Sequence, residues 1–233
     1  MTPGRRFLRQ PSLLLLTLLA GAASAAGTAD DGERIPAPLN FNVSLNDRSL
    51  GSVSYRFKAV DAGIEVNAET RLDFRLAFVS LFKYRHAVRE IWRDGCLSEL
   101  ESSTNDNGDR YAVAAERQAA GLFVRRTLPD LEAGAEEALL EADCHATFAY
   151  WDPELLKHQQ LLNAQTGKLE PVTVRDLGIE TGAGEAQRHL VVDLASAPDI
   201  HLWYRASDQR WQRLENEVPR GTLTYTVQPD GAD

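Results

Sequence analysis

The sequence predicts a mainly β protein: a strongly curved antiparallel meander sheet, or half-open barrel, with one short helix. Three observations carry this expectation. Apolar residues recur at every second position through most of the chain. The alternating runs are joined by turn-forming pairs, with too few residues between them for crossover helices. One stretch alone carries helix-start signals.

The first segment lies outside that pattern. Arg5, Arg6 and Arg9 make a basic start, Leu13 to Ala20 is a short apolar run, and Ala23-Ser24-Ala25 has the small-residue form of a cleavage site. Residues 1–25 therefore read as a secretory signal peptide. The run is shorter than the about 20 apolar residues of a membrane-spanning helix, and no later stretch reaches that length. A soluble protein of the periplasm or exterior is expected. Cleavage after Ala25 removes 25 of 233 residues and leaves 208, enough for one large domain. The domain is expected over residues 39–228, between a flexible segment at 26–38 and a short tail at 229–233. A chain of this size buries roughly 70% of its unfolded surface and needs no metal to be stable.

The alternation starts at Phe41, Val43 and Leu45, continues through Val53, Tyr55 and Phe57, and resumes at Ile64 and Val66, with turn signals at Asn46-Asp47 and Ala62-Gly63. Between Tyr84 and Trp92 the even positions are Tyr, His, Val, Glu and Trp, the odd ones Arg, Ala, Arg and Ile. A hairpin follows. A three-residue loop at Arg93-Asp94-Gly95 would set Trp92 opposite Cys96 and Arg89 opposite Glu99, whereas a two-residue loop would oppose Glu90 to Glu99. The three-residue register is the expected one. Further strands are read at 111–115, 122–127, 146–150, 172–174, 190–194, 200–205, 211–215 and 223–227. Asp152-Pro153-Glu154 supplies an N-cap, a first-turn proline and an acid, so residues 153–163 read as a short amphipathic helix against the sheet.

From Ile64 to Trp92 the apolar face is unbroken for 29 residues. At about 3.4 Å per residue that would reach near 95 Å, so the chain must turn inside it. No Gly, Pro, Asn or Asp lies between Phe74 and Tyr84. An apolar bend is expected around residues 78–82, either a corner of the core or the mouth of an apolar cavity.

Chemistry is sparse. The net charge of −9 becomes −12 when three arginines and no acid are removed with the signal, which argues against nucleic acid as a partner. His86 and Glu90 share a face but stand about 13 Å apart along a strand, too far for an acid–base pair. No HExxH, G-x-S-x-G, phosphate-binding glycine loop or CxxC occurs, and no cofactor or metal is expected. Cys96 and Cys144, the only cysteines, are expected to form a disulfide in an oxidising compartment.

The stretches "FNVSLNDRSLGSVSYRF", "YRHAVREIWRDGCLSELESSTNDNGDRY", "FAYWDPELL", "LLNAQTGKLEPV", "HLWYRASDQRW" and "GTLTYTV", taken in order, resemble an uncharacterised family of exported bacterial β-proteins, one of the domain-of-unknown-function families. The resemblance implies an exported, β-rich single domain of unassigned activity, with no catalytic residues to carry over. The strand plan is also similar, at the level of fold, to the half-open sheets of periplasmic lipoprotein carriers. The functional expectation is a non-catalytic module that binds a lipid or other hydrophobic molecule in a curved-sheet cavity. Its candidate ligand-binding residues are Phe74, Phe78, Leu81, Phe82, Tyr84, His86, Glu90, Trp92, Trp151 and Trp203. The rival readings are a periplasmic enzyme with its site around His86 and Glu90, or a structural protein of the cell envelope with an envelope partner.

Overall fold

The computed structural model describes residues 35–76, 79–130, 134–182, 184–195 and 197–229, without the side chains of residues 75–81. Residues 1–25, read as a signal peptide, most of the expected flexible segment and the last residues of the expected tail lie outside the described residues.

Fifteen strands form one sheet: β1 (Leu39–Leu45), β2 (Arg48–Val60), β3 (Gly63–Leu76), β4 (Val79–Arg93), β5 (Cys96–Asp106), β6 (Asp109–Gln118), β7 (Gly121–Thr127), β8 (Glu136–Leu140), β9 (Ala146–Thr147), β10 (Gln160–Leu162), β11 (Leu169–Gly182), β12 (Glu185–Leu194), β13 (Ala197–Arg205), β14 (Trp211–Val218) and β15 (Gly221–Val227). Their order is β8-β7-β6-β5-β4-β3-β2-β1-β15-β14-β13-β12-β11-β10-β9. Almost every strand pairs with its sequence neighbour. The first and last strands pair with each other through Phe41↔Val227 to Leu45↔Leu223. The meander would be a ring but for one break, between β8 and β9.

At that break the chain does not continue the sheet edge to edge. It crosses to the concave side, where the backbone N–H of Leu97 donates to the carbonyl of His145 at 2.8 Å. The Cys96–Cys144 disulfide, with Cα atoms 5.1 Å apart, joins the start of β5 to the same place. Closing a loop of 48 residues stabilises by about 4 kcal/mol in the chain-entropy account. Residues 144–167 thus form an inner strap across the hollow of the sheet.

The core lies between strap and sheet. Phe41, Trp92, Leu97, Leu100, Leu122, Leu202, Tyr204 and Trp211 point inward from the strands, and Leu155, Leu156, Leu161 and Leu162 point outward from the strap to meet them. The convex face carries ion pairs such as Arg89–Glu65 and Arg175–Asp193, open in part to solvent and so of small energetic weight.

Two expectations of detail are corrected. The helix at 153–163 is a single 3₁₀ turn, Pro153–Lys157, capped by Asp152, whose carboxylate accepts from the Glu154 N–H at 2.9 Å. Leu161 and Leu162 then enter β10, which pairs with β11 and, in parallel, with β9. Pairing supplies these two buried leucines with backbone partners that a helix lying on the sheet would have replaced. The hairpin after Trp92 has a two-residue loop, with Asp94 at φ 51° and Gly95 at φ 71° and Arg93 opposite Cys96. The like-charge clash this loop would create does not arise. Ser98 is an extra residue, so that Trp92 faces Leu97, Ile91 faces Glu99, and Glu90 faces Leu100. The same bulge turns both Leu97 and Leu100 to the core, which strict alternation forbids.

The long apolar face does fold back. β3 and β4 pair from Ile64↔Trp92 to Leu76↔Val79, so the chain reverses between Leu76 and Val79, and the expected bend at 78–82 lies partly outside the described residues.

A Cβ added at Gly95 would meet nothing within 4 Å, so a substitution there costs backbone strain alone. Gly95→Val should lower stability by about 1 kcal/mol or more in denaturant unfolding. An unchanged midpoint would contradict the left-handed turn.

Candidate functional site

Strand alternation sends Tyr84, His86, Val88 and Glu90 of β4 to the concave side, beneath the strap. Glu90 is 3% exposed. A carboxyl group so placed must be hydrogen-bonded. Its Oε1 accepts from the Thr147 hydroxyl at 2.8 Å and its Oε2 from the Trp92 indole N–H at 2.9 Å. Burial pushes its pKa up to about 7, against the lowering effect of those two donors. Three more bonds seat the strap. The Tyr204 hydroxyl donates to the Tyr150 carbonyl at 2.9 Å, the Ser102 hydroxyl donates to the Ala164 carbonyl, and the Tyr84 hydroxyl donates to Gln165 Oε1 at 2.9 Å.

Strap and sheet leave a cavity of about 390 Å³ between them. Tyr55, Tyr150, Tyr225 and Trp211 form one side of it; Val88, Phe148, Ile200 and Leu214 supply apolar wall; Thr70, His86, Glu90, Thr147, Asn163, Gln165 and Glu170 supply polar groups. Exposed Ala197 and half-buried Leu194 and Gln165 place its mouth near the β12–β13 turn. His86 Nδ1 lies 2.8 Å from the Thr104 hydroxyl, and burial drives its pKa down to about 4. Burial raises the phenols of Tyr55 and Tyr84, and raises Tyr225 to about 12, so all are neutral. A larger cleft of about 620 Å³ runs beside the 3₁₀ turn, but its charges are already paired as Arg188–Asp176 and Lys157–Glu154. The inner cavity is the better candidate because its carboxyl groups face the hollow between strap and sheet with neutral partners only.

A family model described as a domain of unknown function, DUF6134, matches residues 41–228. The chain belongs to the DUF6134 family. No curated protein is a significant match to it. Among solved structures it is similar to a beta-barrel-like protein of domain of unknown function DUF1849 from Brucella abortus, with a TM-score of 0.59 and 10% identity over 83% of this chain and 96% of that one. At that identity the likeness is one of fold: a β-rich, barrel-like sheet.

In this DUF6134 domain the expected site residues divide. Tyr84, His86 and Glu90 line the cavity. Phe82 stacks on Tyr84 at 6.2 Å, and Phe74 pairs with Phe82 across β3 and β4; both are half-buried against the core, beside the cavity wall. Trp92 is core, 2% exposed, and reaches the site only through Glu90. Trp151 packs edge-on against Phe57 and Trp92, at 5.3 and 6.1 Å, and faces a separate hollow with Ile35 and Leu39. Trp203 lies on the opposite, convex face. Its strand neighbours Leu202 and Tyr204 take the core, and Trp203 stacks on His189 at 4.4 Å under the Arg213 guanidinium. Phe78 and the side chain of Leu81 lie outside the described part.

Sequence reasoning missed Tyr55, Tyr150, Trp211, Tyr225 and Glu170. Tyr55 and Tyr225 were accessible to it, because each alternates in phase with an inward neighbour, buried Val53 and partly buried Val227. Trp211 was not: a bulge at Gln212 turns Trp211 and Leu214 inward together. His189 and His201 meet across β12 and β13, Nε2 to Nδ1 at 3.0 Å, but among the described residues no three metal-ligating side chains converge.

Glu90 and His86 tilt stability with pH in opposite senses. Folded Glu90 keeps its proton up to about 7, whereas an unfolded glutamate loses it near 4.5, so rising pH between these values erodes stability. Folded His86 stays neutral down to about 4, whereas an unfolded histidine takes a proton near 6.5, so falling pH between these values erodes stability. Relative to wild type, Glu90→Gln should gain stability as pH rises from 4.5 to 7, and His86→Gln should gain as pH falls from 6.5 to 4. Chemical unfolding across this range measures both; curves parallel to wild type would refute the assignment.

Proposed function

We propose that this DUF6134 domain is an exported, non-catalytic binding module of the periplasm that holds a lipid-like or other hydrophobic small molecule in its inner cavity. The observation that carries the reading is the cavity itself. At about 390 Å³ it falls in the size range of small-molecule sites, with apolar and aromatic walls and a few converging polar groups. Export is supported by the basic, apolar and small-residue order of residues 1–25 and by the disulfide, which persists in oxidising compartments. Binding is favoured over catalysis because both oxygens of Glu90 are held by Thr147 and Trp92, and His86 is held by Thr104. Those groups position the strap and leave no acid–base pair aimed at a common point.

Delipidated protein should take up the uncharged fluorophore N-phenyl-1-naphthylamine saturably. Val88→Trp, which narrows the cavity from β4, should abolish uptake while keeping a near-normal melting temperature; Ala164→Trp does the same from the strap. Wild-type protein that shows no saturable uptake would refute the proposal. So would folded variants that bind the dye as wild type does.

A further inference from the structure

We propose that the inner cavity selects a small amphiphilic amine, receiving its ammonium group between carboxyl and phenol groups and its hydrocarbon part against the apolar wall. The inference rests on the binding-module reading above and names the ligand class of that cavity.

Two carboxyl side chains, Glu90 and Glu170, line the cavity, and among the described residues no lysine or arginine does. The partners those carboxyls have are neutral: Thr147 and Trp92 for Glu90, and Asn163, whose amide donates to Glu170 at 2.7 Å. His86 supplies no positive charge, since burial keeps its ring neutral. A half-open hollow lined by carboxyl groups and by no described cation is the electrostatic complement of a cation.

The aromatic groups point the same way. Tyr55, Tyr150 and Tyr225 stand around Trp211 with ring centroids 5.8, 5.7 and 6.4 Å from it. Among the described residues their three hydroxyls make no hydrogen bond to the protein, and none of the three is a buried atom left unsatisfied: they open onto the cavity, where water or a guest completes them. All three line the same cavity as Glu90 and Glu170. Phenol oxygens accept from an ammonium N–H, and ring faces attract the same charge. Val88, Phe148, Ile200 and Leu214 remain for an alkyl or aryl body. An anionic head group, as in a fatty acid, would meet two carboxyl groups at low dielectric with nothing to offset them.

The test is a matched series of octylamine, octanol and octanoate at pH 7.5, read by calorimetry and by displacement of N-phenyl-1-naphthylamine. Octylamine should bind about tenfold or more tighter than octanol, with octanoate weakest. Glu170→Gln, in protein shown to be folded by a near-normal melting temperature, should remove most of that preference, read as the ratio of octylamine to octanol affinity. Octanol or octanoate binding as tightly as octylamine would overturn the amine assignment and leave the binding module standing, as would a dye that binds but is displaced by none of the three. A dye that does not bind at all would instead remove the underlying reading.

Discussion

Glu90 is carried into the interior by the alternation of β4, and a carboxyl group there needs donors. One is local, the indole N–H of Trp92; the other, Thr147, comes from 57 residues further along the chain. That second donor commits the chain after β8 to cross the hollow of the sheet instead of extending its edge. The disulfide holds the crossing at one end, and the Ser102–Ala164 and Tyr84–Gln165 bonds hold it at the other. Without the strap the concave face would expose its aromatic residues to water. With it, the sheet has a core and a half-open cavity.

The open ring and the inner strap are two aspects of one arrangement. Among the described residues, the fifteen-strand meander, whose ends pair through β1 and β15, leaves two free edges, β8 and β9. Edges invite non-native pairing. Here β9 is two residues long and turned inward against β5, and β8 carries Glu136 and Glu137, paired with Arg126 and Arg125 on β7. The cavity therefore sits where the sheet overlaps itself. Its mixed wall follows from its two sources: strands contribute alternating apolar and aromatic side chains, while the strap and its return contribute Thr147, Asn163, Gln165 and Glu170.

The period-two pattern made most of the strands and the fold class legible, because side-chain alternation is a local property of extended chain; β8 and β10 were not read from it. The inward set of β4, Tyr84, His86 and Glu90, was legible for the same reason. What escaped depended on partners distant in sequence. Trp203 looked equivalent to Trp92 until its neighbours Leu202 and Tyr204 took the core and left it on the convex side. The hairpin at Asp94-Gly95 was misread because the bulge at Ser98 answers a demand that pairwise charge rules do not include, the burial of both Leu97 and Leu100. The helix expected at 153–163 had correct start signals, but Leu161 and Leu162 found strand partners in β9 and β11. No local rule assigns residues 144–167 to the inside of the sheet.

The central claim is that this strap is part of the folded core, held there by Glu90. Amide hydrogen exchange of residues 145–162 measures it most directly. Protection of Ala146, Thr147, Leu161 and Leu162 should match that of the core of β3 and β4 in the wild type and fall selectively in Thr147→Val, with the outer strands unchanged. Rapid exchange of these amides in the wild-type protein, or protection unaffected by Thr147→Val, would contradict the account.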